Sequence, residues 1–379
     1  MKIVVLGAGL VGGPMAVDLA KEKQFEVTIV DRDAQALAKI AHNQNLHTVT
    51  QDLANPVNVS ALVNNFDFVV NAVPGFMGFR TFEAVIKAGK NIVDIAFFPE
   101  DPFQMKKLAE EMGVIAIMDC GVAPGMSNIL VAHAATQMDT AAEATIFVGG
   151  LPQVRTWPWE YQAVFSPIDV IEEYTRPARL VENGEVVVKE ALTELELLDF
   201  PGVGTLEAFN SDGLRTLVDT MSIPNMKEKT LRYPGHVERV RLLRHTGFFS
   251  QEAVEINGSM IRPIDLTAKL LFPQWEMRKD DRDITIMQVQ VIGMKDGKKI
   301  SHTFDLLDHF DTATSTRSMA RTTGYTATVV TRMLAQGVYK QSGLTVPEHI
   351  GKDAKAVAFL LNGLAKRGVH YKETVRESA

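Results

Sequence analysis

Cysteine, long apolar runs and clusters of basic residues are scarce or missing in this chain of 379 residues. The single cysteine, Cys120, excludes an intramolecular disulfide framework and a cysteine-rich metal site. No stretch approaches the roughly 20 uninterrupted apolar residues of a membrane helix, so we expect no membrane partner. The net charge is −7 with both signs interspersed, which argues against a nucleic-acid partner. Because the strand-like "KIVVLG" begins at residue 2, we expect no targeting peptide and a cytoplasmic protein.

The length, together with 46% hydrophobic residues, indicates a globular chain of two domains. The first 125 residues alternate continuously apolar runs with stretches of helical periodicity, a pattern typical of a parallel sheet covered on both faces. We therefore predict an α/β fold that opens with a Rossmann domain, a doubly wound parallel sheet, over residues 1–125. The predicted strands lie within residues 2–7, 26–31, 46–51, 66–73, 91–96 and 114–121.

The pattern changes after Asn128, where strands and hairpins dominate. We predict an α+β domain over residues 126–314 with a mostly antiparallel sheet and scattered helices. Asn-Gly and Asp-Gly pairs favour tight hairpin turns. The predicted turns are Asn183-Gly184, Asn257-Gly258 and Asp296-Gly297.

Residues 315–379 begin with a long helical pattern. Ser315 or Thr316 is available as its N-cap, and Gly337 is a candidate stop. We treat this stretch as a separate C-terminal helical region.

Three glycines after the first strand form the strongest local motif. Gly7, Gly9 and Gly12 have the G-x-G-x-x-G spacing between a strand and a helix, where the glycines permit a tight turn and close approach of a diphosphate. Asp31 ends the second strand, 19 residues after Gly12, where a carboxylate can accept from both ribose hydroxyls. The alternative is a glycine turn with no ligand. We predict a nicotinamide dinucleotide as the cofactor.

Asp31 and its neighbour also bear on the choice between NAD and NADP. A carboxylate at this position repels a 2′-phosphate and favours NAD. Arg32 follows directly and can pair with that phosphate, so NADP is not excluded. An arginine at such a position also lies over the adenine face or in solvent. We expect NAD.

Polar residues also follow the later strands, on the side that faces the ligand crevice of such a sheet. "VVNAVPG" places Asn71, Val73 and Pro74 at the end of the fourth strand, where they would contact the ribose or nicotinamide. The alternative is a simple turn at Pro74-Gly75. The predicted cofactor contacts are Gly7, Gly9, Leu10, Val11, Gly12, Asp31, Arg32, Asp52, Asn71, Val73, Pro74 and Asn128.

Two acids are the candidate catalytic residues. Asp119 ends the sixth apolar run in "VIAIMDCGVAPG", and Asp94 has the same position in the fifth. As an alternative, Asp119 caps the helix that begins near Ser127. For Cys120, nothing nearby would generate a thiolate, which favours a small buried apolar side chain at the site.

Histidine and arginine patterns give weaker signals. His302 and His309 have no spacing typical of metal ligands, so we predict no metal and place them in a solvated loop. The basic stretch 232–244 includes Arg232 and His236. Its simplest interpretation is a solvated helix face, but a substrate carboxylate would need such a basic partner.

With these residues in hand, the chain resembles the saccharopine dehydrogenase family, and within it the lysine 6-dehydrogenases most closely. The resemblance covers nearly the whole length. The segments that carry it are "GAGLVG", "CGVAPGMSNIL", "VGGLP", "TLEAFNSDGLRTL", "TLRYPGH", "DTATSTRSMARTTGY" and "GVYKQSGLTVPE".

The resemblance implies a Rossmann domain, a second domain that holds the substrate and mediates dimerisation, and C-terminal helices that return to the first domain. It implies a homodimer or higher oligomer and oxidation of a C–N bond, with a hydride passing to the nicotinamide and an imine hydrolysed by water. Asp119 matches the acid before the "G-x-x-P-G" turn and would hold the substrate ammonium or accept its proton. The implied or predicted substrate contacts are Phe76, Phe97, Phe98, Cys120, Asn210, Asp212, Arg215, Arg232 and His236.

Two departures from the family pattern affect the substrate. Arg215 is out of register with the arginine of the saccharopine-type "N-R-D" cluster, which argues against a substrate with an extra glutamate moiety. Phe97 and Phe98 stand where smaller residues are expected for lysine oxidation, and either narrow the pocket or pack in the core.

We expect an amino acid as the substrate. Three functional hypotheses follow, of which the first two are enzymes. The first is NAD-dependent oxidative deamination of the terminal amine of L-lysine to the semialdehyde. The second is a saccharopine-type dehydrogenase or reductase that acts on a secondary amine. The third is a non-catalytic NAD-binding sensor or assembly protein, against which the paired acids Asp94 and Asp119 argue.

Overall fold

The computed structural model of the protein describes residues 1–43 and 45–378. The chain divides into two compact units. The first unit contains Met1–Gln137 and Met319–Tyr371, and the second contains Met138–Ser318 and Lys372–Ala379.

The strands are β1 (Lys2–Leu6), β2 (Glu26–Asp31), β3 (Leu46–Thr50), β4 (Phe68–Asn71), β5 (Asn91–Asp94), β6 (Ile115–Ile117), β7 (Thr140–Pro152), β8 (Ala178–Glu182), β9 (Glu185–Lys189), β10 (Glu196–Phe200), β11 (Gly204–Asn210), β12 (Asn225–Arg232), β13 (Val254–Ile256), β14 (Ser259–Ile261), β15 (Asp283–Lys295), β16 (Lys298–His309), β17 (Gly343–Thr345) and β18 (Lys372–Ser378). The α-helices are α1 (Gly12–Leu19), α2 (Ala34–Ala38), α3 (Pro56–Val63), α4 (Gly75–Lys87), α5 (Lys106–Met112), α6 (Met126–Ala135), α7 (Pro167–Thr175), α8 (Leu217–Thr220), α9 (His236–His245), α10 (Pro263–Trp275), α11 (Ser318–Ala335), α12 (Pro347–Gly351) and α13 (Ala354–Ala365).

The first unit is built on a parallel sheet of seven strands in the order β17-β6-β5-β4-β1-β2-β3. Its strands are continuously apolar because both faces are covered: Ile3, Val4, Val5 and Leu6 of β1 are fully buried. The strand order reverses between β1 and β4, and ligands of such sheets bind at the carboxyl ends of the strands beside this reversal. The predicted Rossmann fold is confirmed.

The C-terminal helices pack on this same unit. Asp18 of α1 is 1% exposed, and its carboxylate pairs with Arg332 of α11 at 2.8 Å and with Arg367, just after α13, at 2.9 Å. These two charges hold the pKa of Asp18 below its usual value although burial opposes the shift. A charged network of this kind fixes α11 and the end of α13 against α1.

The second unit contains a nine-stranded sheet in the order β10-β11-β12-β7-β15-β16-β18, with β8 pairing with β12 and β9. Strand β12 runs parallel to β7, whereas the other pairings of this sheet are antiparallel. The three predicted hairpins are confirmed, as β8–β9, β13–β14 and β15–β16. Asn183 and Gly184 both have positive φ, as this type of turn requires.

The structure divides the chain at other places than the predicted boundaries. Helix α6 lies in the first unit, because nearly all of its residues are buried there. Strand β18, predicted within the helical region, lies in the second unit because it pairs with β16. Helix α11 begins at Ser318 rather than at Ser315 or Thr316.

The prediction of a solvated loop around His302 is wrong. His302 lies on β16, is 3% exposed, and its Nδ1 is 2.7 Å from Oε1 of Glu373 on β18. Alternating polar and apolar residues in this segment reflect a strand with two different faces. Within the described residues, no group of three or more His, Cys, Asp or Glu side chains is placed to hold a metal ion. The described helices are too short or too polar to span a lipid bilayer.

Candidate active site

The turn between β1 and α1 carries the three glycines of the predicted cofactor motif. A Cβ on Gly7 would lie 2.7 Å from the carbonyl oxygen of Ala72, and one on Gly12 would lie 2.1 Å from the carbonyl oxygen of Gly7. The fold itself therefore requires these two glycines. A Cβ on Gly9 would meet nothing within 4 Å. Packing does not explain the second glycine, whereas close approach of a diphosphate does.

The start of α1 fits the same ligand. The N-cap residue Val11 makes no side-chain capping hydrogen bond, and the first turn contains no acidic residue. Leu10, just before it, is 45% exposed. Backbone N–H groups at a helix N-terminus, together with the helix dipole, favour an anion. The turn and the helix start therefore suit the diphosphate of a dinucleotide.

Asp31 lies at the carboxyl end of β2, beside this turn. Its Oδ2 accepts a hydrogen bond from the N–H of Ala8 at 2.7 Å, and its Oδ1 accepts from the N–H of Asp33 at 2.8 Å. Each carboxylate oxygen has a further lone pair, so both can still accept from ribose hydroxyls. Arg32 is exposed. The geometry thus fixes a carboxylate where the adenosine ribose of a dinucleotide would lie.

Asn71 and Asp94 form a buried pair at the ends of β4 and β5. They are aligned in the sheet and both are fully buried. Nδ2 of Asn71 donates to Oδ2 of Asp94 at 2.9 Å, and the N–H of Ala96 donates to Oδ1. Oδ1 of Asn71 is buried and accepts no hydrogen bond within the described structure. A buried amide oxygen without a donor is costly, which marks it as an acceptor for an N–H of a ligand.

Asp119 follows β6 in a strained backbone conformation. It is 2% exposed and has a φ of 49°, in the left-handed region that residues other than glycine seldom adopt. Such strain is concentrated at functional sites. The turn behind it is closed so tightly that a Cβ on Gly125 would lie 2.1 Å from the carbonyl oxygen of Gly121. The turn therefore holds Asp119 at a defined place beside the sheet edge.

Helix α6 starts at Met126, with Gly125 at the N-cap position. Oδ1 of Asn128 accepts from the Ser127 hydroxyl at 2.9 Å and from the N–H of Gly125 at 3.4 Å. The predicted cofactor contact Asn128 thus has a role in the start of α6.

Cys120 directly follows Asp119 and is a buried, neutral thiol. It is 1% exposed, and its N–H donates to the carbonyl oxygen of Asp94 at 2.8 Å. Burial, and then the charges of Asp94 and Asp119, raise the pKa of the thiol far above its usual value. This agrees with the interpretation of Cys120 as an unreactive side chain.

The three phenylalanines predicted to line the substrate pocket differ widely in burial. Phe98 is fully buried in the core of the first unit, with its ring 5.6 Å from that of Phe79, as the core-packing alternative expected. Its partner in the core is Gly78, where a Cβ would come within 3.0 Å of the Phe98 ring. Phe76, on α4, is 72% exposed to solvent. Phe97 is partly buried.

The remaining predicted cofactor contacts lie near the sheet edge in ordinary structural roles. Val73 is 5% exposed within the core, and Pro74 is the N-cap residue of α4. Asp52 is exposed after β3, and its Oδ1 accepts from the N–H of Ala54 at 2.9 Å.

In the second unit, Arg232 and His236 belong to a buried network and not to a solvated helix face. Arg232 lies on β12 and donates to Oε2 of Glu173 at 2.6 Å and to the hydroxyl of Tyr174 at 3.2 Å. Nδ1 of His236 is 2.7 Å from the carbonyl oxygen of Trp159. Burial, and then Arg232, lower the pKa of His236 to about 3, so the imidazole is neutral. The structure gives both predicted substrate contacts internal partners.

The other predicted substrate contacts lie at the end of β11 and in the segment that follows it. Nδ2 of Asn210 donates to Thr193 and Glu194, each at 3.1 Å. Asp212 pairs with Nε of Arg179 at 3.1 Å. Arg215 is 4% exposed and has a φ of 52°, again in the left-handed region. These three side chains follow one another in a single connecting segment of the second unit.

Sequence reasoning missed Glu228, which lies under this segment on β12. Its Oε2 accepts from the hydroxyl of Ser211 at 2.7 Å and from the N–H of Gly213 at 3.1 Å. Burial raises the pKa of Glu228 to about 8, and the nearby acids add to the shift. No motif marks a lone glutamate in a strand, and most residues of β12 (NMKEKTLR) are polar, so no sequence signal sets Glu228 apart.

The first unit therefore combines a turn suited to a dinucleotide with two buried carboxylates at neighbouring strand ends. Carboxylates in this position can hold a cationic nitrogen or accept its proton. Asp94 is held from two sides, whereas Asp119 lies on a strained turn.

Comparison with known proteins agrees with this arrangement. Residues 3–117 match the family model of the saccharopine dehydrogenase NADP binding domain, and residues 121–369 match that of the saccharopine dehydrogenase C-terminal domain. The chain belongs to the saccharopine dehydrogenase family.

Two relatives align with this chain over nearly the whole length of both proteins. Saccharopine dehydrogenase [NADP(+), L-glutamate-forming] of Schizosaccharomyces pombe is 21% identical over 98% of each chain. Carboxyaminopropylagmatine dehydrogenase of Synechocystis is 22% identical over 99% of this chain and 98% of its own. The mitochondrial α-aminoadipic semialdehyde synthase of mouse is 26% identical over 66% of this chain, which spans only 29% of that protein's length.

The fold also matches a solved structure. The apo form of saccharopine dehydrogenase (L-Glu forming) from Saccharomyces cerevisiae superposes with a TM-score of 0.80 over 99% of both chains, at 16% sequence identity. This likeness establishes the shared fold.

Proposed function

We propose that this family member is a nicotinamide-dependent dehydrogenase that oxidises a C–N bond of an amino acid and prefers NAD. The observation that carries the proposal is the placement of Asp94 and Asp119 at neighbouring strand ends, on the sheet edge that also bears the glycine turn. Membership of the saccharopine dehydrogenase family supports it.

The cofactor would be held by the turn at Gly9, the start of α1 and the carboxylate of Asp31. When bound, NAD accepts a hydride from the carbon of the C–N bond. The carboxylate of Asp31 favours ribose hydroxyls and disfavours a 2′-phosphate. Arg32 keeps NADP as the alternative, and the matching domain model is named for NADP binding. We expect NAD to be used more efficiently than NADP.

We assign different roles at the substrate nitrogen to Asp94 and Asp119. Asp94 is fixed by Asn71 and by the N–H of Ala96, which suits a carboxylate that holds an ammonium group in place. Asp119 lies in a strained turn just beyond β6, and we assign it the proton transfer, because a general base must come within hydrogen-bond reach of the proton it takes. The free lone pairs of Asn71 Oδ1 would accept an N–H of substrate or nicotinamide.

The terminal amine of L-lysine is the first substrate we propose, with water hydrolysing the imine to the semialdehyde. A saccharopine-type secondary amine is the second candidate. It is favoured by the full-length relatives, one of which is named as a saccharopine dehydrogenase. For either substrate we propose a homodimer or larger homo-oligomer that works in the cytoplasm.

A panel of amines tests the proposal. Reduction of NAD and of NADP would be followed at alkaline pH with lysine, ornithine, other amino acids and saccharopine. We expect reduction with lysine or saccharopine, with a higher kcat/KM for NAD than for NADP. If NADH binds but no amine is oxidised, the chain is a silent NAD-binding protein and the proposed activity is wrong.

A further inference from the structure

A β-hairpin of the second unit extends into solvent. Strands β13 and β14 form a separate two-stranded sheet, and residues 251–260 are all exposed. Three of these residues have large apolar side chains, Val254, Ile256 and Met260, and Met260 is 66% exposed. A hairpin of two strands is at best marginally stable in water by itself. A contiguous set of exposed apolar side chains on such a hairpin indicates that a partner covers it.

Apolar side chains lie on both faces of this hairpin. Val254 and Ile256 share one face, on which Val254 lies opposite Ile261. Met260 lies on the other face, opposite Glu255. Side chains alternate between the two faces of a strand, and an antiparallel sheet normally keeps its solvent face polar. Neither face of this hairpin is polar throughout.

The base of the hairpin is fixed to helix α10. The N–H of Ile264 donates to the carbonyl oxygen of Ser250 at 3.1 Å, and the hydroxyl of Thr267 donates to the carbonyl oxygen of Phe248 at 2.7 Å. Both Ile264 and Thr267 are buried residues of α10. The hairpin is therefore a structured projection with a fixed base.

Helix α10 also carries apolar side chains on its outward side. Its inward side packs Ile264, Leu271 and Trp275 into the core of the second unit. Leu266 and Leu270 are one helical turn apart and lie outside this buried side, and Leu270 is 60% exposed. A helix of a globular domain typically has one apolar stripe, facing the core. A second apolar stripe indicates that this side of α10 is covered as well.

The charges of the two surfaces are complementary. The hairpin segment 251–260 contains Glu252 and Glu255 and no basic residue. On α10, the acid Asp265 is paired with Arg262 at 2.8 Å, whereas Lys269 is exposed in the turn between the two outward leucines and has no ion pair within the described residues. An acidic, apolar hairpin and an apolar helix side with a free lysine fit each other when they come from two copies of the chain.

We propose that the hairpin of one copy covers the outward side of α10 in a second copy, and that the second copy returns the contact. Both surfaces adjoin at Arg262, the residue between β14 and α10. A two-fold axis beside this residue therefore forms the contact twice and leaves neither surface exposed. This inference rests on the proposed homodimer and assigns its interface, and it does not depend on the oxidation of an amine.

The strength of the dimer tests the proposal. Met260→Asp and Leu270→Asp each place a charge in the proposed interface, and Val57→Asp, at a 72% exposed position on α3 of the first unit, is the matched control. Sedimentation equilibrium measures the dissociation constant of the dimer, and circular dichroism verifies the fold. We expect either interface variant to raise this constant by about 100-fold or more, because an unpaired charge is buried twice in a two-fold interface. Val57→Asp should leave it unchanged.

Chemical cross-linking identifies which surfaces meet. The native Cys120 is buried, so an introduced exposed cysteine is the reactive thiol of each chain. Chains with Met260→Cys and chains with Leu270→Cys, carrying different tags, are coexpressed, purified as the mixed dimer and treated with a short bis-maleimide. We expect covalent mixed dimers from this pair, and none when Val57→Cys replaces either partner.

A wild type that stays monomeric would overturn both this contact and the proposed homodimer. A dimer that neither aspartate variant weakens, or one that cross-links only position 260 to 260 or position 270 to 270, would overturn the reciprocal contact and leave the homodimer in place. Turnover of amines is measured separately on the wild type. Its absence would contradict the proposed activity and not this interface.

Discussion

The candidate site acids of the first unit and the buried charges on β12 of the second unit are placed in different ways. In the first unit, Asp31, Asp94 and Asp119 each lie at or just beyond the carboxyl end of a parallel strand. Because the strands are parallel, all three lie at the same edge of the sheet. In the second unit, Arg232 and Glu228 lie within β12 of a mixed sheet and are satisfied by residues from distant segments. Asp94 and Asp119 are buried as well, but at the ends of strands, whereas Arg232 and Glu228 are buried within a strand of the mixed sheet.

We expect the largest effect on turnover from replacing Asp119, the acid with the strained backbone. Asp119→Asn keeps the shape of the side chain but removes the proton acceptor, so turnover should fall by about 10²- to 10⁴-fold. Steady-state kinetics with the best amine would measure it. Glu100→Gln, an exposed acid of the same unit, is the control and should leave turnover unchanged. Near-normal turnover of Asp119→Asn would remove Asp119 from the chemistry.

The glycine turn offers a sharper comparison within the first unit. Gly12→Ala drives a Cβ into the carbonyl oxygen of Gly7, and should lower the free energy of unfolding by about 1–3 kcal/mol. Gly9→Ala meets no protein atom, so it should leave the melting temperature unchanged while weakening NADH binding by about tenfold or more.

Thermal unfolding and NADH fluorescence titration separate the two outcomes. If Gly9→Ala bound NADH as tightly as the wild type, the space beside Gly9 would not be the diphosphate site.

Glu228 predicts a smaller, pH-dependent effect in the second unit. Its pKa is about 8 in the folded protein against a usual value of 4.5, so between these values the folded state holds one proton more than the unfolded state. The free energy of unfolding therefore falls as pH rises from about 4.5 towards 8, and the contribution is constant above that. Glu228→Gln lacks this decline and keeps an acceptor for Ser211.

The melting temperature of Glu228→Gln, relative to wild type, should therefore rise by a few degrees between pH 5 and pH 9. A difference that stays constant across this range would show that Glu228 is ionised in the folded protein at neutral pH.

The same contrast explains what the sequence could predict. The parallel sheet, the hairpins and the acids at strand ends follow from local patterns, because hydrophobic period and turn residues fix them. The partners of Arg232 could not be predicted, since Glu173 and Tyr174 lie 59 and 58 residues away in the chain. For Phe98 the sequence left two alternatives open, because a strand end can point an aromatic ring into the core as readily as into the ligand crevice.

The boundaries of the units depend on such long-range contacts as well. Strand β18 has the polar composition of a solvated terminus, and only its pairing with β16 shows where it belongs. The ion pair of Arg179 with Asp212 likewise joins residues that are 33 positions apart, and no spacing in the sequence indicates it.

The most direct test of the account follows the hydrogen that leaves the substrate. Lysine and saccharopine would be deuterated at the carbon of the C–N bond that is to be oxidised, and the reduced nicotinamide would be analysed by mass spectrometry. The account predicts one deuterium in each reduced nicotinamide formed and slower turnover than with the unlabelled amine. Reduced nicotinamide without deuterium, or binding of NAD with no reduction by any amine, would contradict it.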